Sequence, residues 1–347
     1  MYEAILTLCL IAGQDCRPVL LPGYEAPDLA ACQKLLDEAP PVLEGRFAGL
    51  EAKGGPECRA AGVALDFTEV SPGVFVHMGA IAEPDLGNAG DVANLGFVIG
   101  DRSVAVIDSG SARWMGEAAW RAIRARTDLP VSHAILTHMH PDHTLGASVF
   151  AEAGADITGH AGLDRALADR RENYLESLSV LIGPERFIGT DTVATDLAVA
   201  DGAEIDLGGR VLALRAWRRS HTGTDLTVFD PASGILFAGD LVFHRHTPAL
   251  DGSLRGWQEV LQEMAGLPVS RVVPGHGGPL LDWPQGAQPM LRYLGVLAAD
   301  TRAAIDAGQR MGEAIETIAA SERSHWELFE SYNPRNATVA FTELEWE

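Results

Sequence analysis

The sequence predicts a layered protein of mixed α and β structure, in which helices cover the outer faces of two stacked sheets. Two observations predict the layers: short β runs begin near Leu65 and again near Ala203, and each series is followed by helical segments. Such rounds of strands and helices favour an αββα sandwich. A third observation, that all four cysteines lie within the first 58 residues, predicts a small N-terminal α/β appendage.

The composition argues against several kinds of partner. The 347 residues carry a net charge of −22, and the only lysines are Lys34 and Lys53. Nucleic acids are bound chiefly through Lys and Arg, and the sequence has no basic cluster, so we expect no nucleic-acid partner. No apolar run approaches the roughly 18 residues that span a bilayer, so we expect no membrane partner. A small-molecule substrate is the expected partner.

The N-terminal domain is predicted to comprise residues 1–64. Its apolar run "AILTLCLIAG" is interpreted as a buried strand, because it lacks the preceding basic residues and the cleavage site of an export signal. A degenerate export signal is the alternative. A helix is predicted over Asp28–Glu38. A domain this small needs additional covalent stabilisation.

The cysteines can supply that stabilisation. Cys9, Cys16, Cys32 and Cys58 are even in number and confined to a short segment, which predicts two disulfide bonds and an oxidising compartment. Three pairings are possible, and we favour Cys9–Cys58 with Cys16–Cys32. Reduced core cysteines in a cytoplasmic protein are the alternative.

The larger domain is predicted over residues 65–310. β runs such as "NLGFVIG" and "SVAVIDSG" precede a helix at about Ala112–Ala125, and the apolar strand "HAILT" follows that helix. A helical stretch at 160–182 separates the two β series. The final segment, residues 311–347, is predicted to pack on this domain as a tail, with "YNPRNATVAFTELEWE" irregular.

The stretch "LTHMHPDHTLG" contains three histidines within six residues. In an extended chain, residues two apart project to the same side, so His138 and His140 can bind one metal ion together. Pro141 disfavours a helix for the residue before it, so the chain turns there. Asp142 and His143 lie beyond the turn and suit a second ion. Imidazole and carboxylate are ligands of zinc, iron and manganese.

Further ligands are predicted downstream, at strand ends. His221 opens "HTGTD", Asp240 closes "LFAGD", and His276 lies in "VVPGHGG". The glycines on either side of His276 would let the backbone approach an ion closely. Because four such strand-end sites recur in this order, we expect them to form one metal centre.

These residues resemble the signature of the metallo-β-lactamase-fold superfamily of metallohydrolases, over about residues 66–300. The matching features are the H-x-H-x-D-H pattern in "HMHPDH", Asp108 in "VIDSG", and the downstream His221, Asp240 and His276. The resemblance implies an αββα sandwich with its metal ions at one edge of the two sheets.

The resemblance also implies a ligand set for two zinc ions, or else iron or manganese. The implied ligands are His138, His140 and His221 for the first ion, Asp142, His143 and His276 for the second, and Asp240 as a bridge between them. Asp108 would orient the motif without binding a metal. Residues that orient metal ligands in this way fix the tautomer and the direction of each imidazole.

The activity implied by the resemblance is that of a binuclear zinc hydrolase. Zinc lowers the pKa of bound water from about 15.7 to about 7, so a bridging hydroxide would attack the carbonyl of an ester, thioester or lactone. Asp142 and Asp240 would be the catalytic carboxylates. The aspartate at 240 and the absence of lysine from the domain disfavour a β-lactamase.

Three segments are similar to the SoxH-related zinc metallohydrolases of bacterial quinoprotein relay systems. They are the helical insert "HAGLDRALADRRENYLESL", "PALDGSLRGWQEVL" and "VVPGHGGP". This similarity implies a link to a dehydrogenase that depends on pyrroloquinoline quinone (PQQ), with that dehydrogenase as a partner in the periplasm. A cytoplasmic location is the alternative.

Two other functions stay open at this point. Persulfide dioxygenases are similar in their motif and use a single iron, which here would be held by His138, His221 and Asp240. The second is a non-catalytic carrier or partner protein of a quinoprotein system, stabilised by its metal. The cysteine-containing N-terminal domain supports this second function, since a hydrolase core does not require it.

The surroundings of the metal centre give further candidates. His244 and His246 in "FHRHTPAL" are candidates for the pocket, with a structural role as the alternative. The loop at 79–94, rich in Gly, Ala and Asp, would form either a flap over the metals or a connector. The candidate anchors for a substrate carboxylate are Arg218, Arg219, Arg245 and Arg255.

Overall fold

The computed structural model describes residues 1–11 and 15–346. Within those residues the strands form three sheets. The elements of the N-terminal sheet and its helix are β1 (Tyr2–Leu10), β2 (Cys16–Ala26), α1 (Leu29–Glu38), β3 (Leu50–Ala52) and β4 (Glu57–Ala60). Strand β1 pairs with each of the other three strands. The apolar N-terminal run is thus a buried strand as predicted; its last residues, 12 and 13, lie outside the described residues.

Two disulfide bonds hold this N-terminal unit together, and they join Cys9 to Cys16 and Cys32 to Cys58. The pairing favoured from the sequence is therefore wrong. Strands β1 and β2 form an antiparallel pair whose register places Cys9 directly opposite Cys16, with 4.0 Å between the Cα atoms. Helix α1 packs beside β4, which brings the Cα atoms of Cys32 and Cys58 to 6.1 Å.

The second sheet contains the first β series of the larger domain. Its strands are β5 (Thr68–Ser71), β6 (Val74–His77), β7 (Leu95–Ile99), β8 (Val104–Ile107), β9 (Val131–Leu136), β10 (Asp156–His160) and β11 (Leu197–Val199). They lie side by side in the order β11-β10-β9-β8-β7-β6-β5. The helices of this half are α2 (Arg113–Arg124), α3 (Pro141–Thr144), α4 (Ser148–Glu152), α5 (Leu163–Ile182) and α6 (Pro184–Phe187).

The third sheet contains the second β series. Its strands are β12 (Gly202–Asp206), β13 (Val211–Ala216), β14 (Leu226–Asp230), β15 (Ile235–Phe237), β16 (Arg271–Val273) and β17 (Leu281–Asp282). They lie side by side in chain order. The helices of this half are α7 (Leu254–Ala265), α8 (Gln288–Asp306), α9 (Met311–Ala314) and α10 (Phe329–Leu344).

The second and third sheets pack face to face. Their inner faces meet in a core of aliphatic side chains that includes Ile107 and Ile135 from one sheet and Val228 and Ile235 from the other. Helices α2 and α4 cover the outer face of the second sheet, and α7, α8 and α10 cover that of the third. The predicted αββα sandwich is therefore confirmed, and the N-terminal sheet forms a further layer over α2 and α4.

The C-terminal segment differs from the prediction. The stretch predicted to be irregular forms most of α10, with Pro334 inside the helix. The side chains of Ala337, Ala340, Phe341 and Leu344 are buried against the third-sheet half. Burial of an apolar helix face stabilises a helix more than local propensity does, and here it outweighs the proline. Among the described residues, no helix is both long and apolar enough to cross a membrane.

Candidate metal centre

The predicted metal ligands converge at one edge of the sandwich, because each follows the end of a strand. The segment "HMHPDH" follows β9 and enters α3, and the other ligands follow β13, β15 and β16. They form two groups, in each of which one nitrogen or oxygen atom of every member lies within 4.8 Å of the others. The first group is His138, His140, His221 and Asp240, and the second is Asp142, His143 and His276.

Asp240 is a member of the first group and also contacts histidines of the second. Its Oδ2 is 3.7 Å from Nε2 of His138 and 3.4 Å from Nε2 of His221, which belong to the first group. The same oxygen is 3.3 Å from Nε2 of His276, and Oδ1 is 3.2 Å from Nε2 of His143, which belong to the second. One carboxylate is thus in contact with histidines of both groups.

Hydrogen bonds on the far side of the imidazoles decide which nitrogen faces the centre. The Nδ1–H of His221 donates to the carbonyl of Ala249 at 2.6 Å, and the Nδ1–H of His276 donates to that of Val92 at 2.9 Å. A carbonyl can only accept, so the proton is held on Nδ1. Nε2 is therefore the nitrogen available to a metal in both residues.

His140 has the opposite orientation. Its Nε2–H donates to Oδ2 of Asp251 at 3.2 Å, and its Nδ1 lies 3.1 Å from Nε2 of His221. Asp251 also pairs with Arg170 of α5, at 3.0 Å. The sequence prediction missed Asp251, although it lies inside the quoted stretch "PALDGSLRGWQEVL". Its partner His140 is 111 residues away in the chain, so no local pattern indicates the contact.

Asp108 lies outside both groups; it is bonded to His143 of the second group and reaches His138 of the first through Thr137. Its left-handed backbone (φ +59°) follows the end of β8. Its Oδ2 accepts the Nδ1–H of His143 and the hydroxyl of Thr137, both at 2.8 Å. The Thr137 oxygen in turn accepts the Nδ1–H of His138 at 3.1 Å. A single carboxylate thus orients one histidine of each group, with Nε2 towards the centre.

The residues present fit a metal-binding site. Nε2 of His138, Nε2 of His143 and Oδ1 of Asp240 are buried and have no hydrogen-bond partner among the described residues. A buried polar atom without a partner costs free energy, and a cation bound between these atoms would remove that cost. Imidazole nitrogen with carboxylate oxygen is a donor set that suits zinc, and also iron or manganese.

The charges within the centre are strongly coupled. Burial raises the pKa of Asp240, but the neighbouring charges of His276 and His143 outweigh burial and hold that pKa well below its usual value. Burial also opposes the charged form of His276, yet the carboxylates of Asp240 and Asp142 raise its pKa to about 10. Metal binding here therefore requires protons to leave the imidazoles.

The two glycines beside His276 leave space for neighbouring groups of the protein. A Cβ atom on Gly275 would lie 1.9 Å from Oδ1 of Asp240, and one on Gly277 would lie 1.7 Å from the carbonyl oxygen of His244. The glycines therefore make room for the Asp240 carboxylate and for a neighbouring backbone segment.

A cavity of about 470 Å³ adjoins the centre and reaches Asp142, Asp240 and His276. Helices α5 and α10 form its walls, and part of the loop at 79–94 lines it through residues 82–84 and Val92. His246 lies in the wall. His244 is outside the lining, where its Nδ1 accepts the backbone N–H of Gly278.

Helix α10 also supports the centre through Asn336, which the sequence prediction missed. The Asn336 Nδ2 donates to the carbonyl of Pro248 at 2.6 Å, and its Oδ1 accepts the N–H of Leu250 at 2.9 Å. Between these two residues lies Ala249, whose carbonyl orients His221. Because Asn336 is 86 residues from Leu250 in the chain, no local sequence pattern indicates this contact.

A family model described as the metallo-beta-lactamase superfamily matches residues 89–276, which is more than half of the chain. The matched segment includes every predicted metal ligand and Asp108. No curated protein sequence matches the chain.

Solved structures share the fold at low sequence identity. A metallo-beta-lactamase from Pontibacter korlensis is 22% identical, with a TM-score of 0.54 over 67% of this chain and 99% of its own. A metallo-beta-lactamase family protein from Thermus thermophilus is 20% identical, with a TM-score of 0.59 over 80% and 94%. The sec-alkylsulfatase Pisa1 from Pseudomonas sp. is 15% identical, with a TM-score of 0.63 over 80% of this chain and 50% of its own.

Proposed function

The chain belongs to the metallo-beta-lactamase superfamily, and from this membership we propose that it is a binuclear zinc hydrolase of small acyl substrates. The observation that carries the proposal is the position of Asp240 between two groups of histidines, each of which leaves a buried Nε2 without a hydrogen-bond partner. A centre for one ion would need only one of these groups.

The residues have distinct roles in this proposal. The first ion would be held by His138, His140 and His221, the second by Asp142, His143 and His276, and Asp240 would contact both. Zinc in such a site lowers the pKa of a coordinated water to about 7 and polarises a carbonyl oxygen. The hydrogen bonds described above keep the imidazole protons away from the centre, so the nitrogens that face it can bind metal. Hydrolysis consumes one water, breaks the acyl C–O or C–S bond, and releases a carboxylate with an alcohol or thiol.

The structural neighbours do not select the substrate, because a metallo-beta-lactamase and a sec-alkylsulfatase stand side by side among them. A β-lactamase is disfavoured by the position of the lysines. Lys34 lies on the exposed face of α1 and Lys53 follows β3, so neither lies in the cavity beside the metal centre. An ester, thioester or lactone fits the proposal better.

The closer relationship that we propose is with the SoxH-related metallohydrolases of quinoprotein relay systems. The support is the sequence similarity of the insert and of two downstream segments, together with the two disulfide bonds of the N-terminal unit. Disulfide bonds persist in oxidising compartments, which supports a periplasmic location. A PQQ-dependent dehydrogenase partner is part of this proposal because of the proposed relationship to quinoprotein relay systems.

Metal quantification combined with a substrate panel tests the proposal. We expect about two zinc ions per chain after loading, and hydrolysis of at least one ester, thioester or lactone. The variant His276→Gln should lose about one zinc ion, because it removes a ligand of the second group only. The matched control His325→Gln removes an exposed histidine that belongs to neither metal group and should retain both ions.

Two outcomes would replace the proposal. One iron per chain, with oxygen consumed when glutathione persulfide is supplied, would establish the dioxygenase. Full metal loading without turnover of any acyl compound, together with copurification of a quinoprotein dehydrogenase, would establish the carrier or partner protein.

A further inference from the structure

The cavity beside the metal centre is lined by one guanidinium group. Among the cavity-lining residues in the described part of the chain, Arg335 is the sole arginine or lysine. The arginines suggested by the sequence as carboxylate anchors do not line the cavity, and Arg218 and Arg245 form ion pairs with glutamates. Arg335 lies on α10, beyond the segment that matches the family model.

Arg335 makes no ion pair or hydrogen bond through its guanidinium group within the described residues. Acidic residues are not scarce, because the chain has 48 carboxylate side chains and 26 lysines and arginines. The guanidinium carbon lies 5.7 Å from the centroid of the Tyr332 ring, one helical turn earlier. This contact holds the charge against the cavity wall and leaves its hydrogen-bond donors free.

Aromatic rings connect this guanidinium to the metal centre. The centroid of the Tyr332 ring is 4.7 Å from that of His246, which is 4.9 Å from that of His276. The Nδ1–H of His246 donates to the carbonyl of Thr247 at 2.6 Å, which leaves Nε2 as an acceptor on the wall. A ligand lying along these rings would have one end at the metal groups and the other at Arg335.

The backbone at Arg335 is anchored beside the centre by the next residue, and the Arg335 side chain itself is exposed. The next residue, Asn336, is buried and bonded to the loop that orients His221. The facing wall, from α5, contributes the apolar side chains of Leu178 and Leu181. A cavity of about 470 Å³ lies within the range of about 300–1,000 Å³ that small-molecule sites occupy.

We propose that the substrate carries a carboxylate at the far end of a short aliphatic chain, and that Arg335 binds this carboxylate while the acyl carbonyl lies at the metal groups. A guanidinium presents two parallel N–H donors to a carboxylate, and such charge-assisted bonds are stronger than neutral ones. The apolar wall accommodates the chain between the two ends. The acyl end of this inference rests on the proposed function, whereas the carboxylate anchor does not.

Paired substrates test the anchor. The 4-nitrophenyl monoesters of adipic and suberic acid carry a terminal carboxylate, and 4-nitrophenyl hexanoate and octanoate are their neutral counterparts of equal length. In Arg335→Gln we expect the ratio of kcat/KM for the acid monoester to that for its neutral counterpart to fall about tenfold or more, through KM. Arg335→Lys, which keeps the charge without the planar pair of donors, should show a smaller fall.

Arg310→Gln is the matched control, because it removes an exposed positive charge that does not line the cavity. The ratio should stay at the wild-type value in this variant. An equal fall in both variants would overturn the inference, since the effect would then come from the overall charge of the protein. An unchanged ratio in Arg335→Gln would overturn it as well.

Calorimetry separates this inference from the proposed function. Adipamate, which carries one carboxylate and one amide carbonyl, and its neutral counterpart hexanamide are titrated into the zinc-loaded protein. Arg335→Gln should weaken the binding of adipamate about tenfold relative to hexanamide. If the wild type hydrolyses none of the esters, the proposed function fails and this binding ratio alone decides the role of Arg335. An unchanged ratio of affinities would overturn the anchor even in an active hydrolase.

Discussion

Glu117 in α2 and Asp240 in the metal centre are both buried carboxylates, and they differ in their partners. Both oxygens of Glu117 accept hydrogen bonds: Arg17 donates at 2.8 and 3.0 Å, and Arg113 donates at 3.0 Å. Oδ1 of Asp240 accepts none within the described residues.

The residues around the two carboxylates differ in the same way as the carboxylates themselves: those near Glu117 are paired, and some nitrogens near Asp240 have no hydrogen-bond partner within the described part of the chain. Glu117 lies where α2 packs under the N-terminal sheet, and nearby Glu3 of β1 is bonded to Arg121 at 2.7 and 2.9 Å. These contacts join the N-terminal unit to the sandwich. Around Asp240, two histidine nitrogens are also without partners. Buried charge with complete partners therefore indicates a structural role, and buried charge with missing partners indicates a bound ligand.

The substitution Asp240→Ala should have the largest effect. It removes the carboxylate between the two groups, so we expect zinc content to fall and hydrolysis to decrease about 10³-fold or more. Zinc is measured by elemental analysis, and activity as kcat/KM on the ester identified in the panel. The metal-free variant should still fold and show a single cooperative urea transition. Full zinc content in the variant would contradict the role of Asp240.

The substitution Glu117→Gln should lower the stability of the fold and leave the zinc content unchanged. It leaves Arg17 and Arg113 without their shared buried carboxylate, which costs about 3–5 kcal/mol of unfolding free energy. Urea denaturation of the metal-free protein measures this loss. Zinc content should not change, because the hydrogen-bond partners of Glu117 belong to neither metal group. If the variant lost zinc but kept its stability, Glu117 would serve the metal centre and would not have the structural role inferred above.

The pH dependence of the stability lost in Glu117→Gln tests whether the loss comes from the charge of Glu117. Burial raises the pKa of Glu117, but the charges of Arg17 and Arg113 outweigh burial, so the pKa in the folded protein lies below its usual value. A depressed pKa stabilises the folded state above the unfolded-state pKa, and this contribution is lost as the pH falls through the folded-state pKa. The difference in stability between wild type and Glu117→Gln should therefore be largest at neutral pH and shrink in acid.

The sequence was sufficient to predict the features that follow from local pattern. The αββα order follows from the two series of strands and helices, and the convergence of His138 with His140 follows from the two-residue period of an extended chain. The grouping of His221, Asp240 and His276 could be predicted because each follows the end of a strand within a few residues. Such strand ends meet at one edge when the sheets stack.

Features that depend on tertiary contacts could not be predicted in this way. The disulfide pairing depends on the register of β1 and β2, and no residue near Cys9 specifies that register. Helix α10 forms despite Pro334 because its apolar face is buried. Arg335 and Asn336 lie beyond every family motif and reach the site only because α10 packs beside it.

Removing a disulfide bond from the N-terminal unit should also lower the unfolding free energy, by a smaller amount than Glu117→Gln. Replacing Cys32 and Cys58 together by alanine opens a loop with a sequence separation of 26, which in the chain-entropy model costs about 3.5 kcal/mol. Replacing Cys9 and Cys16 opens a separation of 7 and costs about 2.4 kcal/mol. Urea denaturation should rank the two variants in this order, with zinc content unchanged in both. Loss of zinc would show that the N-terminal unit supports the metal centre.

The substitution Asp108→Asn should have the smallest effect on the metal centre. Asparagine can still accept the backbone N–H of Thr137, but an amide –NH2 directed at Nδ1–H of His143 places donor against donor. The His143 proton would then move to Nε2, the nitrogen that faces the centre. We expect zinc affinity to fall about 10–100-fold, measured by competition with a chelator.

The matched control for this last variant is Asp230→Asn. Asp230 is also fully buried, but its carboxylate is paired with Arg210, at 3.1 Å from Nε, on the third sheet and away from the metal groups. The control should lower the unfolding free energy without changing zinc affinity. If Asp108→Asn also lowered stability without changing zinc affinity, the role of Asp108 would be structural, like that of Glu117. Its bonds to His143 and Thr137 would then stabilise the fold alone.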